Sequence, residues 1–149
     1  MTSSPAPADP GPLAVVAAHG DLAAGLVSAV AQITGQGALL APMSNRGRGP
    51  AELEAELRAL LAAAPVRVVF TDLPGGSCTM AARRVQKDHP GLTLATGVNL
   101  ATLLEFVCAA GSAPNDAQPA EVVSRALERG RASLVTLSAP AEAPAGVPR

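Results

Sequence analysis

The chain has 149 residues, a formal net charge of −1 and a hydrophobic fraction of 48%, while aromatic residues make up 1%. The near-neutral charge, with no basic stripe, excludes an electrostatic footprint for nucleic acid, and the scarcity of aromatic rings argues against a ligand held by stacking. The length fits one domain, and no apolar run approaches the roughly 20 residues that a membrane-spanning helix requires. Cys78 and Cys108 form neither a metal-binding pattern nor a disulfide framework, and no signal-peptide pattern opens the chain. We therefore expect a cytoplasmic protein with reduced thiols and with no metal or cofactor.

Composition separates the ends of the chain from its middle. Residues 1–12 and 138–149 are rich in Pro, Ala and small polar residues, so we expect two tails around one domain at residues 13–137. Predicted strands span residues 13–18, 38–43, 66–72, 92–96 and 132–137. Predicted helices span residues 21–34, 50–64, 77–88, 100–110 and 119–130. This alternation predicts an α/β fold, a doubly wound and mostly parallel sheet with helices on both faces.

His19 lies between the first predicted strand and the first predicted helix. In an open α/β sheet such a turn lies at the carboxyl edge of the strands, where ligands bind and helix N-termini offer free N–H groups to anions. Taken alone, this stretch is equally consistent with a functional histidine and with one that only packs against a turn. Asp72, however, ends the strand with the highest β-branched content, and parallel strands would bring it to the same edge.

A carboxylate beside a histidine has a defined chemical use. Asp72 can accept a hydrogen bond from one ring nitrogen of His19, fix the tautomer and leave the other nitrogen as an exposed nucleophile. Residues 73–76 form a predicted tight turn, and Ser77 is the predicted N-cap of the next helix. Gly75, Gly76, Ser77 and this helix start can donate hydrogen bonds to the oxygens of a phosphoryl group. The first turn carries no dinucleotide-binding or P-loop fingerprint. The pair meets the requirements of phosphoryl transfer, so His19 and Asp72 are the candidate catalytic residues.

Three segments give the chain a resemblance to a known family. They read VVAAHGDLAAG at residues 15–25, VVFTDLPGGSCTMAA at residues 68–82 and ATGVNLATLLE at residues 95–105. In this order and spacing they resemble the IIA domain of the mannose-type (mannose/fructose/sorbose) family of the bacterial phosphoenolpyruvate:sugar phosphotransferase system, over residues 13–137. The resemblance implies a phosphohistidine that accepts phosphoryl from the carrier HPr and passes it to a IIB partner, and through it to membrane IIC and IID subunits.

Carried over residue by residue, the resemblance implies a role for each site residue. His19 matches the phosphorylated histidine, Asp72 the aspartate that contacts it, and Ser77 the serine near the phosphoryl oxygens. The chain departs from the family at Cys78, where many members have proline. The resemblance also implies a homodimer, with a C-terminal strand that can be exchanged between subunits as an antiparallel strand.

Other interpretations stay open at this point. A regulatory relative, which feeds a dihydroxyacetone kinase or acts apart from transport, would use the same chemistry at His19. Cys78 follows two glycines near a predicted helix start, where the pKa of a thiol can be lowered, so it is a second candidate nucleophile. If the domain is a non-catalytic binding module, His19 has no role in its function. The sequence identifies neither the sugar nor the oligomeric state.

Four further polar or thiol side chains are expected to have no part in the chemistry. Arg46 and Arg48, in a polar loop after the second strand, should be solvated rather than bound to phosphate. His89 should end a helix, and Cys108 should be a buried inert thiol among apolar neighbours.

Overall fold

The computed structural model describes residues 11–112 and 118–141. In these residues four strands alternate with five α-helices, and a short 3-10 helix (Gly37–Leu39) precedes the second strand. The strands are β1 (Ala14–Ala18), β2 (Leu40–Ser44), β3 (Val68–Thr71) and β4 (Thr93–Thr96). The helices are α1 (Leu22–Thr34), α2 (Pro50–Ala63), α3 (Ser77–Asp88), α4 (Leu100–Ser112) and α5 (Pro119–Ala132).

The four strands form one parallel sheet in the order β2-β1-β3-β4. Ala18 of β1 is in register with Ser44 of β2, and Ala17 of β1 is in register with Thr71 of β3. Because all four strands run in the same direction, their carboxyl ends meet at one edge of the sheet. The turns that follow β2, β1 and β3 are therefore neighbours, as expected for a doubly wound fold.

Successive side chains of each strand point to opposite faces of the sheet, and each face is covered by helices. On one face, Val16 and Phe70 pack against α1, α4 and α5. On the other face, Val15 and Val69 pack against α2 and α3. Both phenylalanines of the chain lie in the first of these layers, where the rings of Phe70 and Phe106 meet edge to face with centroids 5.2 Å apart. The predicted parallel sheet with helices on both faces is confirmed.

The structure corrects the prediction of a last strand at residues 132–137. Ala132 is the final residue of α5, and residues 134–141 have no regular secondary structure. Leu134, Val135 and Leu137 are 76%, 66% and 88% exposed, although their apolar composition favours a buried strand. A strand forms only where a neighbour supplies hydrogen-bond partners, and no strand of the described residues pairs with this segment. Its exchange between subunits stays a prediction.

Cys108 also differs from its prediction. The buried positions of α4 are Thr102, Leu103, Phe106 and Val107, and Cys108 follows them on the solvent side of the helix, where it is exposed. Residues 1–10, 113–117 and 142–149 lie outside the described residues, so both predicted tails and most of the loop predicted at residues 111–119 stay predictions. Of the helices that the structure describes, none is long and apolar enough to cross a membrane.

A polar contact fixes α5 against the start of α4. The Asn99 side-chain oxygen accepts hydrogen bonds from the Thr102 N–H (2.9 Å) and hydroxyl (2.8 Å), while the Asn99 amide donates to the Gly130 carbonyl (3.0 Å). A Cβ at Gly130 would overlap the Thr102 hydroxyl oxygen and would lie 2.9 Å from the Asn99 oxygen. The approach of the two helices therefore requires glycine at position 130.

We expect Gly130→Ala to lower the free energy of unfolding by about 1–3 kcal/mol, the usual cost of adding a methyl group to a filled site. Urea denaturation of the variant and the wild type measures this difference. Gly25→Ala is a matched control, because Gly25 lies within α1 and its Cβ would meet open space. That control should stabilise the protein by about 0.5–1 kcal/mol through helix propensity. Equal stabilities of the two variants would contradict the close contact at Gly130.

Candidate functional site

Three polar residues follow the ends of three neighbouring strands. His19 directly follows β1, Asn45 follows β2 and Asp72 follows β3. Because β1 lies between β2 and β3, His19 is flanked by Asn45 on one side and by Asp72 on the other. The structure thus brings the predicted pair His19 and Asp72 together. It adds Asn45, which sequence analysis assigned only to a polar loop.

The side chains of His19 and Asp72 form a close pair. Asp72 Oδ2 lies 2.7 Å from His19 Nδ1 and also accepts a hydrogen bond from the His19 backbone N–H at 3.0 Å. An ionised carboxylate can only accept hydrogen bonds, so Nδ1 carries a proton, and in the neutral form of the ring the lone pair is on Nε2. The His19 side chain is 47% exposed and that of Asp72 is 9% exposed. The free nitrogen therefore belongs to a ring that a second molecule can reach.

The pKa of Asp72 lies below its ordinary value of 3.8. Burial by itself would raise this pKa, but the hydrogen bonds from the His19 backbone and ring, together with the charge of that ring, outweigh the burial. A further hydrogen bond comes from the Leu73 N–H to Asp72 Oδ1 at 3.0 Å. The carboxylate is therefore ionised at neutral pH, as the tautomer of His19 requires.

The turn before α3 lies against the His19 ring. A Cβ at Gly76 would be 3.0 Å from His19 Cε1, the ring carbon bonded to the free Nε2, whereas a Cβ at Gly75 would meet open space. The Gly76 N–H donates to the Leu73 carbonyl at 3.3 Å. Gly76 thus contributes close approach to the ring rather than a free donor.

Ser77 begins helix α3, directly after the predicted turn. The N-cap of α3 is Gly76 rather than Ser77, and Ser77 is the exposed first residue of the helix. The helical bonds of α3 begin with the Met80 N–H to the Gly76 carbonyl at 3.0 Å, so the N–H of Ser77 has no acceptor within the helix. Free N–H groups at a helix start attract anions. The Ser77 hydroxyl oxygen accepts a hydrogen bond from Asn45 Nδ2 at 3.1 Å.

A buried chain of hydroxyl groups supports the turn that carries Asp72. The Thr79 hydroxyl donates to the Leu73 carbonyl and lies 2.6 Å from the Thr71 hydroxyl oxygen. Since the proton of Thr79 is used on Leu73, the Thr71 hydroxyl donates to Thr79. Both threonines are buried. Sequence analysis did not identify this support, because a threonine in the first turn of a helix carries no distinctive pattern.

The two loop arginines are surface residues, as expected. Arg46 Nη1 donates to Asp21 Oδ1 at 3.0 Å, and both side chains are largely exposed. Arg48 pairs with Glu56 of α2. An exposed ion pair such as Arg46–Asp21 contributes little to stability.

The Cys78 thiol does not fit the role of a nucleophile. Cys78 is fully buried, and burial raises its pKa, with a smaller contribution from the negative charge of Asp72. A buried and protonated thiol is a poor nucleophile. The structure therefore favours His19 over Cys78 as the reacting group of this edge.

A comparison with protein-family models identifies one family. A family model described as "PTS system fructose IIA component" matches residues 14–123. The fold is similar to that of a mannose/sorbose-specific IIA subunit of the phosphotransferase system from Enterococcus faecalis, with 23% identity, 89% of this chain and 99% of that chain covered, and a TM-score of 0.72.

Two further solved structures share the fold. The phosphotransferase system component EIIA from Streptococcus agalactiae is 18% identical, with 83% of this chain and 95% of that chain covered and a TM-score of 0.73. A PTS IIA protein associated with the fucose utilization operon from Streptococcus pneumoniae is 23% identical, with 79% and 90% covered and a TM-score of 0.62. No curated protein matches the chain in sequence.

Proposed function

Since the chain belongs to the family of fructose/mannose IIA components of the sugar phosphotransferase system, we propose that it carries a phosphoryl group on His19. His19 accepts the group from HPr and passes it to a IIB partner, which serves membrane IIC and IID subunits in sugar uptake. The observation that carries this proposal is the 2.7 Å contact between His19 Nδ1 and Asp72 Oδ2, which leaves Nε2 free on an exposed ring.

Transfer takes place at Nε2 of His19. The lone pair of Nε2 forms a bond to phosphorus, while the bond between phosphorus and the leaving atom of the carrier breaks and its electron pair stays with the carrier. The proton on Nδ1 remains in place. The positive charge that develops on the ring is balanced by the Asp72 carboxylate, and reversal of the same step on the acceptor discharges His19.

The turn before α3 suits the phosphoryl oxygens. The N–H of Ser77 lies at the positive end of the α3 dipole, and its hydroxyl adds a second donor. Gly75 and Gly76 leave the approach to the ring free of side chains. We therefore assign phosphoryl binding to Ser77 through its two donors, and to Gly75 and Gly76 because they keep the approach to the ring open.

Incubation with enzyme I, HPr and labelled phosphoenolpyruvate tests the proposal. We expect the wild-type chain to gain one acid-labile phosphoryl group by intact mass, and a sample without HPr to gain none. A competent HPr from the same source that leaves the chain unlabelled would contradict the proposal. Discharge by a IIB protein would support the transport relay, whereas discharge only by a dihydroxyacetone-kinase system would identify the regulatory alternative.

Gly76→Ala should slow phosphoryl uptake about tenfold, because misplacement of a reacting group by an ångström or less is costly in rate. The backbone of Gly76 has a φ of −77°, which alanine adopts freely, and the tightest contact of the new methyl group is with the His19 ring. Single-turnover uptake from phosphorylated HPr measures the rate. Gly75→Ala, whose Cβ meets open space, should lose less. Equal rates for Gly76→Ala and the wild type would contradict the assigned ring contact.

We further propose a cytoplasmic homodimer. Among the described strands β4 pairs only with β3, and Leu134 lines a groove beside Leu94 and Thr96 of β4. A second chain that adds residues 133–137 to this edge as an antiparallel strand would cover the exposed leucines of that segment. A native mass of two chains in light scattering would support the dimer, and a monomer at micromolar concentration would contradict it.

A further inference from the structure

We propose that Asn45 is a positioning residue for phosphoryl transfer, which turns the Ser77 hydroxyl into a hydrogen-bond donor toward the phosphoryl group on His19. The inference rests on the proposed function of His19. It concerns a residue of the loop after β2, on the side of His19 opposite Asp72.

The hydrogen bonds of Asn45 fix the orientation of its amide. The Gly20 backbone N–H can only donate, and it lies 3.4 Å from Asn45 Oδ1, so the amide oxygen faces Gly20. The amide nitrogen therefore faces Ser77 and donates to its hydroxyl oxygen at 3.1 Å. The Asn45 backbone N–H donates to the Ala18 carbonyl at 3.2 Å. Asn45 thus links the His19–Gly20 turn to the start of α3.

This donation decides what the Ser77 hydroxyl can do. A hydroxyl group has one proton and two lone pairs. With one lone pair occupied by Asn45 Nδ2, the proton of Ser77 is directed away from Asn45 and is available to a phosphoryl oxygen on the neighbouring His19. Hydrogen bonds from a hydroxyl to a charged oxygen are stronger than neutral ones, and they assist most when their direction is set before the reaction.

The loop that carries Asn45 is itself fixed to the His19 turn. The Ser44 hydroxyl donates to the Gly20 carbonyl at 2.7 Å, and the Arg46 N–H donates to the Ser44 hydroxyl oxygen at 3.1 Å. Gly20 has a φ of +56°, a conformation that side chains disfavour, so this turn requires glycine. Asn45 is half-buried in this arrangement. Its amide is therefore held in place rather than free to follow solvent.

Single-turnover transfer from phosphorylated HPr to Asn45→Ala, Ser77→Ala and the double variant tests the inference. We expect Asn45→Ala to lower the rate at saturating HPr about tenfold, the loss of one directed hydrogen bond, while the HPr concentration at half-maximal rate is unchanged. In the Ser77→Ala background the same substitution should change the rate by less than about twofold, since the two residues act together. Arg48→Gln, in the same loop but paired with Glu56, is the matched control and should transfer at the wild-type rate.

Asn45→Asp separates positioning from simple support of the loop. The aspartate still accepts from the Gly20 N–H and so keeps the fold, which thermal unfolding verifies, but it takes the Ser77 proton for itself. A wild-type rate overturns the inference. Because the new negative charge also repels the phosphoryl group, a low rate supports the inference only if it returns to within about twofold of Ser77→Ala when both substitutions are combined. An undiminished effect of Asn45→Ala in the Ser77→Ala background also overturns it. A wild-type chain that takes up no phosphoryl overturns the proposed function as well, whereas a labelled wild type with unaffected Asn45 variants overturns this inference alone.

Discussion

His19→Ala should abolish acid-labile phosphorylation under conditions in which the wild-type chain is labelled to completion. The substitution removes Nε2, the free ring nitrogen that the contact with Asp72 leaves exposed. Because the His19 side chain is at the surface, its loss creates no cavity, and the variant should fold normally. Intact mass after incubation with enzyme I, HPr and phosphoenolpyruvate measures the loss, and urea denaturation verifies the fold.

The chain offers a matched control for this experiment. His89 is its other histidine and lies at the C-terminal end of α3, where its Nδ1 is 3.1 Å from the Val85 carbonyl oxygen. His89→Ala should be labelled like the wild type, and so should Cys78→Ala, because the Cys78 thiol is buried. Labelling of His19→Ala, or loss of labelling in Cys78→Ala with an intact fold, would assign the phosphoryl group elsewhere.

Asp72→Asn should slow phosphoryl uptake by roughly a hundredfold or more, as expected for loss of the group that sets the tautomer of a reacting histidine. The substitution leaves one acceptor oxygen for the three donors at this position, the His19 ring, the His19 backbone N–H and the Leu73 N–H, so the hydrogen bond that holds the proton on Nδ1 is weakened. It also leaves the positive charge on the ring without a counter-ion. Single-turnover transfer measures the effect. A rate within a few-fold of the wild type would show that Asp72 does not control the tautomer of His19.

The lowered pKa of Asp72 gives this variant a second measurement. In the folded state the carboxyl group has a pKa below 3.8, while in the unfolded chain it returns to its ordinary value. The stabilisation from ionised Asp72 is therefore fully present above the unfolded-state pKa and is lost as the pH falls through the lower folded-state pKa. We expect the difference in unfolding free energy between the wild type and Asp72→Asn to diminish only below about pH 4. A difference that disappears near neutral pH would contradict the assignment.

The architecture of the domain could be predicted because its pattern is regular. Alternating apolar runs and helical spacing gave four of the five strands and all five helices to within a few residues, and the family match confirms the resemblance drawn from three motifs. His19 and Asp72 were predictable because each ends a strand, and parallel strands end at one edge. The conformation of residues 132–137 could not be predicted, since apolar composition indicates burial but does not identify a partner strand.

Asn45 and the threonine pair were missed for a different reason. The sequence predicts that β1, β2 and β3 are parallel, but it does not give their lateral order, which places β2 beside β1. Without that order, the polar residue after β2 cannot be assigned to the site of His19. Thr71 and Thr79 act through contacts beneath the turn that only the packing of α3 on the sheet creates.

The firm attachment of the His19 turn to the Ser44–Asn45 loop and to Asp72 has a consequence for how two partners use one surface. A bound phosphoryl group adds roughly two negative charges, while these bonds keep the backbone where it is. The loaded and empty forms therefore differ in electrostatic potential far more than in shape. Under the proposed function, the donor dissociates once the charge has arrived, and the acceptor prefers the charged surface. We expect the exchange of one partner for the other to depend strongly on ionic strength, because each partner distinguishes the loaded form from the empty form by its charge.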